Sequence, residues 1–168
     1  CHNPSFLEKY DMLSDAREGG TFLLTSSHSK DTVWDTLPAE VQEQLIKKKM
    51  KFYVIDAISL AEELGLGARI NVIMQTAFFK ISSVIPLDIA VTAIKDAIQK
   101  SYGKKGDKIV GMNNAAVDGA ISRVSEVKVP DKVTSKIKMP PVVPVDSPDF
   151  VKTVIAEMMA RRGDKMPV

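Results

Sequence analysis

FYVID, residues 52–56, is a run of aromatic and β-branched residues, and this pattern is typical of a strand on a buried, pleated surface. A second apolar run, TFLL at residues 21–24, lies between glycines and a polar loop and also predicts a buried strand. Between the two runs, Pro38 opens a segment with Val41 and Leu45 on one side, which predicts a helix. The order strand, helix, strand indicates a layered α/β fold with a mainly parallel sheet.

Helical patterns flank this unit on both sides. The predicted helices cover residues 5–16, 58–65, 71–82, 86–102, 107–124 and 149–161. The helix 71–82 is apolar nearly all round, so we expect it to be deeply buried. The helix 5–16 has no strand before it, and two strands are too few for a stable open sheet. We therefore expect a sheet that is incomplete at the N-terminus.

Composition divides the chain into three predicted parts. Residues 1–124 form a partial α/β domain, because the alternation of strand and helix patterns is found there. Residues 125–148 contain five of the nine prolines and no glycine, which is typical of an extended, semi-rigid connector. Residues 149–168 are predicted to form a helix and a tail that leads to the next domain.

Charge and cysteine content exclude several classes of function. The 168 residues carry a formal net charge of +2, which is too small to indicate a nucleic-acid partner. A single cysteine excludes a disulfide framework within the chain and a four-cysteine zinc or iron–sulfur site. No apolar run approaches the roughly 20 residues of a membrane-spanning helix, and the first residues do not resemble a secretory signal. We therefore expect no membrane association and a reduced, cytoplasmic location.

The first residues, CHNPSF at 1–6, place the one cysteine next to a histidine. Adjacent side chains on a strand point to opposite faces, and no third residue nearby could orient a Cys–His pair for catalysis. Cys1 and His2 are therefore predicted to end a strand, with a helix beginning after Pro4. At such a position His2 and Asn3 could bind a ligand, because open α/β sheets bind ligands beyond the carboxyl ends of their strands.

Two further features are candidates for binding. The loop 25–30, TSSHSK, offers hydroxyls, an imidazole and an ammonium group, so it either holds a phosphate or another polar ligand or is a solvated turn. Gln75 lies inside the apolar helix 71–82, and a buried amide needs hydrogen bonds. Its partner is expected to be a neighbouring backbone, a ligand or another domain.

Four segments carry a resemblance to a known family. They are GGTFLL at residues 19–24, MQTAFFK at 74–80, YGKKGDKIV at 102–110 and MNNAAVDGAI at 112–121. From residue 1 to its end, the chain resembles one internal domain of the pyruvate:ferredoxin (flavodoxin) oxidoreductases, a domain related to the separate gamma subunit of multi-subunit relatives. Complete members have a strand, a glycine-rich loop and a helix before this point and further domains after it. The resemblance thus implies a fragment whose domain is a three-layer α/β/α unit.

The resemblance also implies an activity and its cofactors. The whole enzyme converts pyruvate and coenzyme A to acetyl-coenzyme A and CO2 and passes electrons to ferredoxin or flavodoxin. Thiamine diphosphate, Mg2+ and 4Fe–4S clusters belong to other domains, so no catalytic or metal-binding residue is assigned here and the isolated chain is expected to be inactive. The domain itself is associated with coenzyme A binding. The residues implied are His2, Asn3, Pro4, Thr25, Ser26 and Gln75.

The partners implied are the other domains or chains of the same oxidoreductase, ferredoxin or flavodoxin, and further copies in a homo-oligomer. The expected location is the cytoplasm, or a hydrogenosome or similar organelle if the source is an anaerobic protist. The alternative is a purely structural domain for packing or dimerisation. In that case Gln75 and the helix 71–82 contact protein, and no ligand is bound.

Overall fold

A three-stranded mixed sheet organises the computed structural model, which describes residues 1–160 and 162–166. Strands β1 (Thr21–Thr25) and β2 (Lys51–Ile55) are parallel and pair in register from Thr21 with Lys51 to Thr25 with Ile55. Strand β3 (Ser125–Val127) pairs antiparallel with β2. The two predicted strands are therefore confirmed. The sequence did not indicate β3, because its three residues are too few to show a strand pattern.

Cys1 lies beside β1 in the register of a further parallel strand. Its backbone nitrogen donates to the carbonyl of Leu23 at 2.5 Å, and its own carbonyl accepts from the amide of Thr25 at 2.9 Å. These are the alternating, slanted bonds of a parallel ladder. Thr25 and Leu23 use the edge of β1 that faces away from β2, so Cys1 extends the sheet there, as expected for a strand end.

Seven α-helices occur among the described residues. They are α1 (Phe6–Lys9), α2 (Ala39–Lys47), α3 (Ala57–Glu63), α4 (Asn71–Ser82), α5 (Leu87–Tyr102), α6 (Asp107–Arg123) and α7 (Ala156–Met159). Short 3₁₀ turns cover Val33–Thr36, Gly103–Lys105 and Gly163–Lys165, and a π-helical turn at Val151–Ile155 precedes α7. Local chemistry sets the ends of α3: the Asp56 carboxylate accepts from the Ser59 amide at its start, and Gly65 has a φ of +70° after its end.

Side chains alternate across the sheet and build a core on each face. One face buries aromatic and aliphatic side chains with α1 and α2: Phe22, Leu24, Phe52, Val54, Leu7 and Leu45. The other face is packed against α3, α4 and α6 through Ile55, Leu60, Ile73, Ala116 and Ala120. Helix α5 lies outside this layer and packs on α4 and α6 through Ile94 and Ile98. The arrangement is a three-layer α/β/α fold, as predicted.

The predicted helix 5–16 is wrong in its extent, because only Phe6–Lys9 is helical. Beyond α1 the chain turns, and the ammonium group of Lys48 donates to the carbonyls of Leu13, Ser14 and Ala16 at 2.6, 2.6 and 2.8 Å. These carbonyls converge on one cation instead of accepting helical amide bonds. The apolar spacing that predicted a longer helix is explained by the burial of Leu7 and Leu13, which enter the same core from α1 and from the turn after it.

Helix α4 has the predicted ends but not the predicted burial. Four of its residues are buried: Val72, Ile73, Thr76 and Ala77. Gln75 is exposed, and the side chain of Phe78 is 48% exposed. The expectation of a buried amide at Gln75 is therefore wrong. Apolar residues all round a helix do not identify which face will be covered.

Hydrogen bonds connect the proline-rich segment 125–148 to α2. The side chain of Gln42 is fully buried; its Nε2 donates to the carbonyl of Trp34 at 2.6 Å, and its Oε1 accepts from the amides of Thr134 and Ser135 at 2.9 and 3.0 Å. The amide of Ala39 also donates to the carbonyl of Ile137 at 2.7 Å. Within this segment, residues 125–127 form β3 and the following residues run along the surface of α2.

The helix predicted at 149–161 is described as far as residue 160. Its apolar residues are poorly covered, since Phe150, Met158 and Met159 are 64%, 57% and 54% exposed and Ala156 is the buried member. Residues 161, 167 and 168 of the predicted helix and tail lie outside the described residues.

Candidate ligand-binding site at the strand ends

A cavity of about 350 Å3 lies at the carboxyl ends of the parallel strands β1 and β2, and we call it the strand-end cavity. The loop after β1 contributes residues 25–28, and the start of α3 contributes Asp56, Ile58 and Ser59. Strand β1 adds Leu24, and the remaining lining comes from the N-terminal segment and the approach to α2: Pro4, Leu7, Glu8, Thr36, Leu37 and Pro38. This is the position at which open α/β sheets bind their ligands.

Thr25 joins the ends of the two strands behind the cavity. Its side chain is fully buried, and its hydroxyl oxygen accepts from the amide of Ala57, the first residue of α3, at 3.2 Å. The amide of Ser26 donates to the carbonyl of Ile55 at 3.0 Å and adds one hydrogen bond to the ladder between β1 and β2. A buried hydroxyl that accepts from the neighbouring backbone helps to fix the cavity wall.

Ser26 and Asp56 also use their side chains locally. The Ser26 hydroxyl oxygen accepts from the amide of His28 at 3.2 Å, which closes a tight turn, and Ser26 is 7% exposed. One carboxylate oxygen of Asp56 accepts from the amide of Ser59 at 3.0 Å. These bonds hold the loop 25–28 and the start of α3 in fixed positions at the cavity.

Four polar side chains of the lining make no hydrogen bond to any other described residue. They are the hydroxyls of Ser27 and Ser59, the imidazole of His28 and the carboxylate of Glu8. Ser27 and His28 are exposed, and Ser59 is half-buried. Beside them the cavity presents apolar surface from Ile58 and Leu37. The lining therefore combines free hydroxyls with aliphatic walls.

The sequence-predicted residues are only partly brought together. Pro4, Thr25 and Ser26 line the strand-end cavity. Asn3 turns its side chain inward on its own loop, where its Oδ1 accepts from the amide and the hydroxyl of Ser5 at 3.1 and 2.9 Å. The ring of His2 packs edge-on against Phe6 with 5.5 Å between centroids. Neither His2 nor Asn3 is among the lining residues.

Gln75 belongs to a different cavity, of about 290 Å3, between α4 and α5, and we call it the α4–α5 groove. Its floor includes the buried side chains of Val72, Ile94 and Ile98. Its rim carries uncharged polar residues, namely Asn71, Gln75, Ser101 and Tyr102. Four apolar side chains that lie in or near this groove along the chain are exposed: Phe78, Val84, Ile85 and Ile89.

Sequence reasoning missed several lining residues, notably Glu8, Thr36 and Ser59. A signal for Ser59 existed, because an Asp directly after a strand is a preferred N-cap and Ser59 lies in the first turn of the helix that it would start. Glu8 and Thr36 gave no signal, since they reach the cavity only when the N-terminal turn and the approach to α2 fold over β1.

Two absences hold for the described residues. No group of three or more His, Cys, Asp or Glu side chains that could hold a metal ion is found in residues 1–160 and 162–166. Across the same part of the chain, every helix lacks the length or the apolar character that a bilayer crossing requires.

Comparison with known proteins gives two family matches. A family described as "Pyruvate ferredoxin/flavodoxin oxidoreductase" matches residues 1–123, and one described as a domain of unknown function matches residues 136–168. The chain is similar over its whole length to the pyruvate:ferredoxin oxidoreductase of Moorella thermoacetica, at 47% identity, and to the pyruvate-flavodoxin oxidoreductase of Rhodospirillum rubrum, at 49%. It is 45% identical to a probable pyruvate-flavodoxin oxidoreductase of Escherichia coli.

Coverage of these relatives is partial. The chain spans 14% of the length of each of the three. With the match over residues 1–123, the comparisons show that the chain belongs to the pyruvate ferredoxin/flavodoxin oxidoreductase family and is a small fragment of its members.

Proposed function

We propose that this chain is an internal domain of an enzyme that oxidises pyruvate with coenzyme A to acetyl-coenzyme A and CO2 and reduces ferredoxin or flavodoxin. The names of the relatives support the substrate and the electron acceptors. The 4Fe–4S clusters are assigned to other domains of that enzyme, because the one cysteine here cannot supply the ligands of a cluster. The family resemblance assigns thiamine diphosphate and Mg2+ to other domains as well. Homo-oligomer assembly and a cytoplasmic location stay predictions.

Within that enzyme, the domain contributes the strand-end cavity to the coenzyme A site. The observation that carries this proposal is a cavity of about 350 Å3 at the carboxyl ends of two parallel strands, with free hydroxyls at Ser27 and Ser59. Pro4, Thr25 and Ser26, which the resemblance implied, all line it. Thr25 and Ser26 act by shaping the wall, since their hydroxyl oxygens accept backbone amides.

A cavity-filling substitution in the full-length oxidoreductase tests the proposal. Ser27→Trp places an indole in the cavity without touching a hydrogen bond of the fold, since Ser27 is exposed and its hydroxyl is free. We expect calorimetry to show coenzyme A binding at least about tenfold weaker. Ser122→Trp is the control, at an exposed serine of α6 outside the cavity whose hydroxyl donates to the Gly119 carbonyl of its own helix. Equal affinity in both variants would exclude the cavity from the site.

A second candidate function is packing against other domains, and the α4–α5 groove favours it. Phe78, Val84, Ile85 and Ile89 are 48%, 63%, 37% and 56% exposed and lie close together along the chain. Exposed apolar clusters of this kind mark contact surfaces. Hydrogen exchange in the full-length enzyme would show strong protection of Asn71–Ser82 that coenzyme A does not change. Rapid exchange of α4 in the intact enzyme would contradict this function.

A further inference from the structure

The solvent-facing side of α5 continues the α4–α5 groove. A second depression of about 300 Å3 adjoins the groove, and Ala93 lines both. The other residues of this depression all belong to α5: Asp88, Ile89, Thr92 and Asp96. Groove and depression therefore form one concave surface, which we call the α5 surface.

Apolar residues recur every four positions along the α5 surface. The exposed residues with this spacing are Ile85, Ile89, Ala93 and Ala97. Side chains four residues apart form a ridge along a helix, and such ridges interlock with the grooves of a second helix. The groove beside this ridge has an apolar floor and an uncharged polar rim, as protein interfaces do. The spacing and the lining both favour a helix as the occupant.

Acidic and basic groups lie at different places on the α5 surface. Asp88 and Asp96 line the depression. Three lysines follow at the other end, where α5 stops: Lys100, Lys104 and Lys105. The ammonium nitrogen of Lys105 lies 5.5 Å from the ring centroid of Tyr102, which lines the groove, so positive charge is present at that end. None of these five charged groups makes an ion pair with another described residue.

The unpaired charges set the direction of a helix that binds this surface. A complementary partner places acids beside the three lysines and bases beside Asp88 and Asp96. Lys95 does not change this pattern, because its ammonium group already binds the Asp118 carboxylate at 2.8 Å. Acids in the first turn and bases in the last turn stabilise a helix through its macrodipole. A helix with these favourable charges matches the α5 surface only when it runs antiparallel to α5.

A second copy of this chain does not fit the α5 surface. In a two-fold dimer the same patch lies on both sides of the interface, so one groove would face another. Two concave surfaces leave a void, whereas the centre of a stable interface is closely packed. The chain spans 14% of each of three relatives, so a full-length polypeptide of that length carries many other elements. An element tethered in the same polypeptide has a high effective concentration at the groove.

We infer that the α5 surface binds a helix from another domain of the same polypeptide. This helix runs antiparallel to α5, is apolar on the side that enters the groove, and carries acidic residues in its first turn beside Lys100, Lys104 and Lys105. The inference rests on the second candidate function, packing against other domains. It adds the kind of element that packs there, its direction and its charges.

Hydrogen exchange in the full-length enzyme tests where the partner packs. Ala93→Arg places a long charged side chain where the groove meets the depression, and Gln99→Arg adds the same charge at an exposed position of α5 that lines neither. In Ala93→Arg we expect α4 and α5 to exchange at least about tenfold faster than in wild type, and in Gln99→Arg within about twofold of wild type. Exchange of α2, on the other face of the sheet, should stay unchanged in both variants and thus show that the fold is kept.

Cross-linking of the wild-type enzyme with a carbodiimide tests which element packs there. This reagent condenses an amine and a carboxylate that are in contact into an amide, and mass spectrometry identifies the two residues. Enzyme assembled from isotope-labelled and unlabelled copies separates links within one polypeptide from links between two. We expect Lys100, Lys104 or Lys105 to be linked to an acidic residue at the start of a helix outside residues 1–168 of the same polypeptide.

The outcomes separate the inference from the function on which it rests. If α4 and α5 are protected in the wild-type enzyme but the lysines are linked to another copy, to the end of a helix or to no other domain, the inference fails and the packing function stands. Equal exchange rates in Ala93→Arg and Gln99→Arg would likewise overturn the inference alone. If α4 and α5 exchange rapidly in the wild-type enzyme, the packing function itself fails.

Discussion

The strand-end cavity and the α4–α5 groove are of similar size but are held together by different interactions. At the strand ends, Thr25 and Asp56 bind backbone amides, so polar side chains fix the wall. In the groove, Val72, Ile94 and Ile98 form an apolar floor, and the rim is polar but uncharged. The first cavity is built by hydrogen bonds and the second by hydrophobic packing.

The two cavities show that a polar residue in an apolar segment can be either structural or available to a partner. Thr25 is buried with its hydroxyl oxygen bonded to the backbone, so it is structural although it lies where a ligand is expected. Gln75 is exposed and makes no hydrogen bond to a described residue, so it is available to a partner although it lies within an apolar helix. Burial and hydrogen bonding, rather than residue type, decide which of the two can act at an interface.

The largest effect is expected in the floor of the α4–α5 groove. Ile98→Ala removes a side chain that is 3% exposed and leaves a cavity. The free energy of unfolding of the 168-residue chain, measured in urea, should therefore fall by about 2–5 kcal/mol. The matched change on the same helix is Ile89→Ala, at a side chain that is 56% exposed, which should cost less than about 0.5 kcal/mol. Similar losses in the two variants would show that packing does not hold the groove.

The next effect is expected at the wall of the strand-end cavity. Thr25→Val keeps the shape of the side chain but leaves the Ala57 amide without its acceptor, so the free energy of unfolding should fall by about 1–3 kcal/mol. Thr92→Val is the control, because the Thr92 hydroxyl donates to the Asp88 carbonyl on the exposed surface of α5. If the free energy of unfolding falls by the same small amount in both variants, the hydrogen bond between Thr25 and Ala57 of α3 does not stabilise the cavity wall.

The smallest effect on stability is expected on the exposed face of α4. Phe78→Ser should lower the unfolding free energy of the 168-residue chain by about 1 kcal/mol, because the side chain is 48% exposed and only its covered half, with the ring contact to Phe79, is lost. In the full-length enzyme the same substitution should increase hydrogen exchange of α4 if another domain covers it. A large loss of stability in the 168-residue chain would mean that Phe78 packs within this domain.

Much of the fold could be predicted because its signals are local. β2 was visible as FYVID, and α4 was predicted with the ends Asn71 and Ser82 that the structure has. The candidate site was predicted only in outline. Pro4 and Ser26 were placed at strand ends by the family resemblance, whereas Glu8 and Thr36 reach the cavity through the path of the chain over β1. No pattern along the sequence encodes that path.

By itself, the sequence determined the α/β class, the positions of most helices and the two parallel strands, because hydrophobic periodicity and the residues at helix ends act over a few neighbours. Only the tertiary structure decided how the polar residues are used. Gln42 binds the backbone of Thr134, 92 residues away, and Gln75, in a more apolar helix, remains exposed. The physical reason is that a polar group is buried only where distant backbone donors and acceptors converge on it, and that convergence is a property of the folded chain.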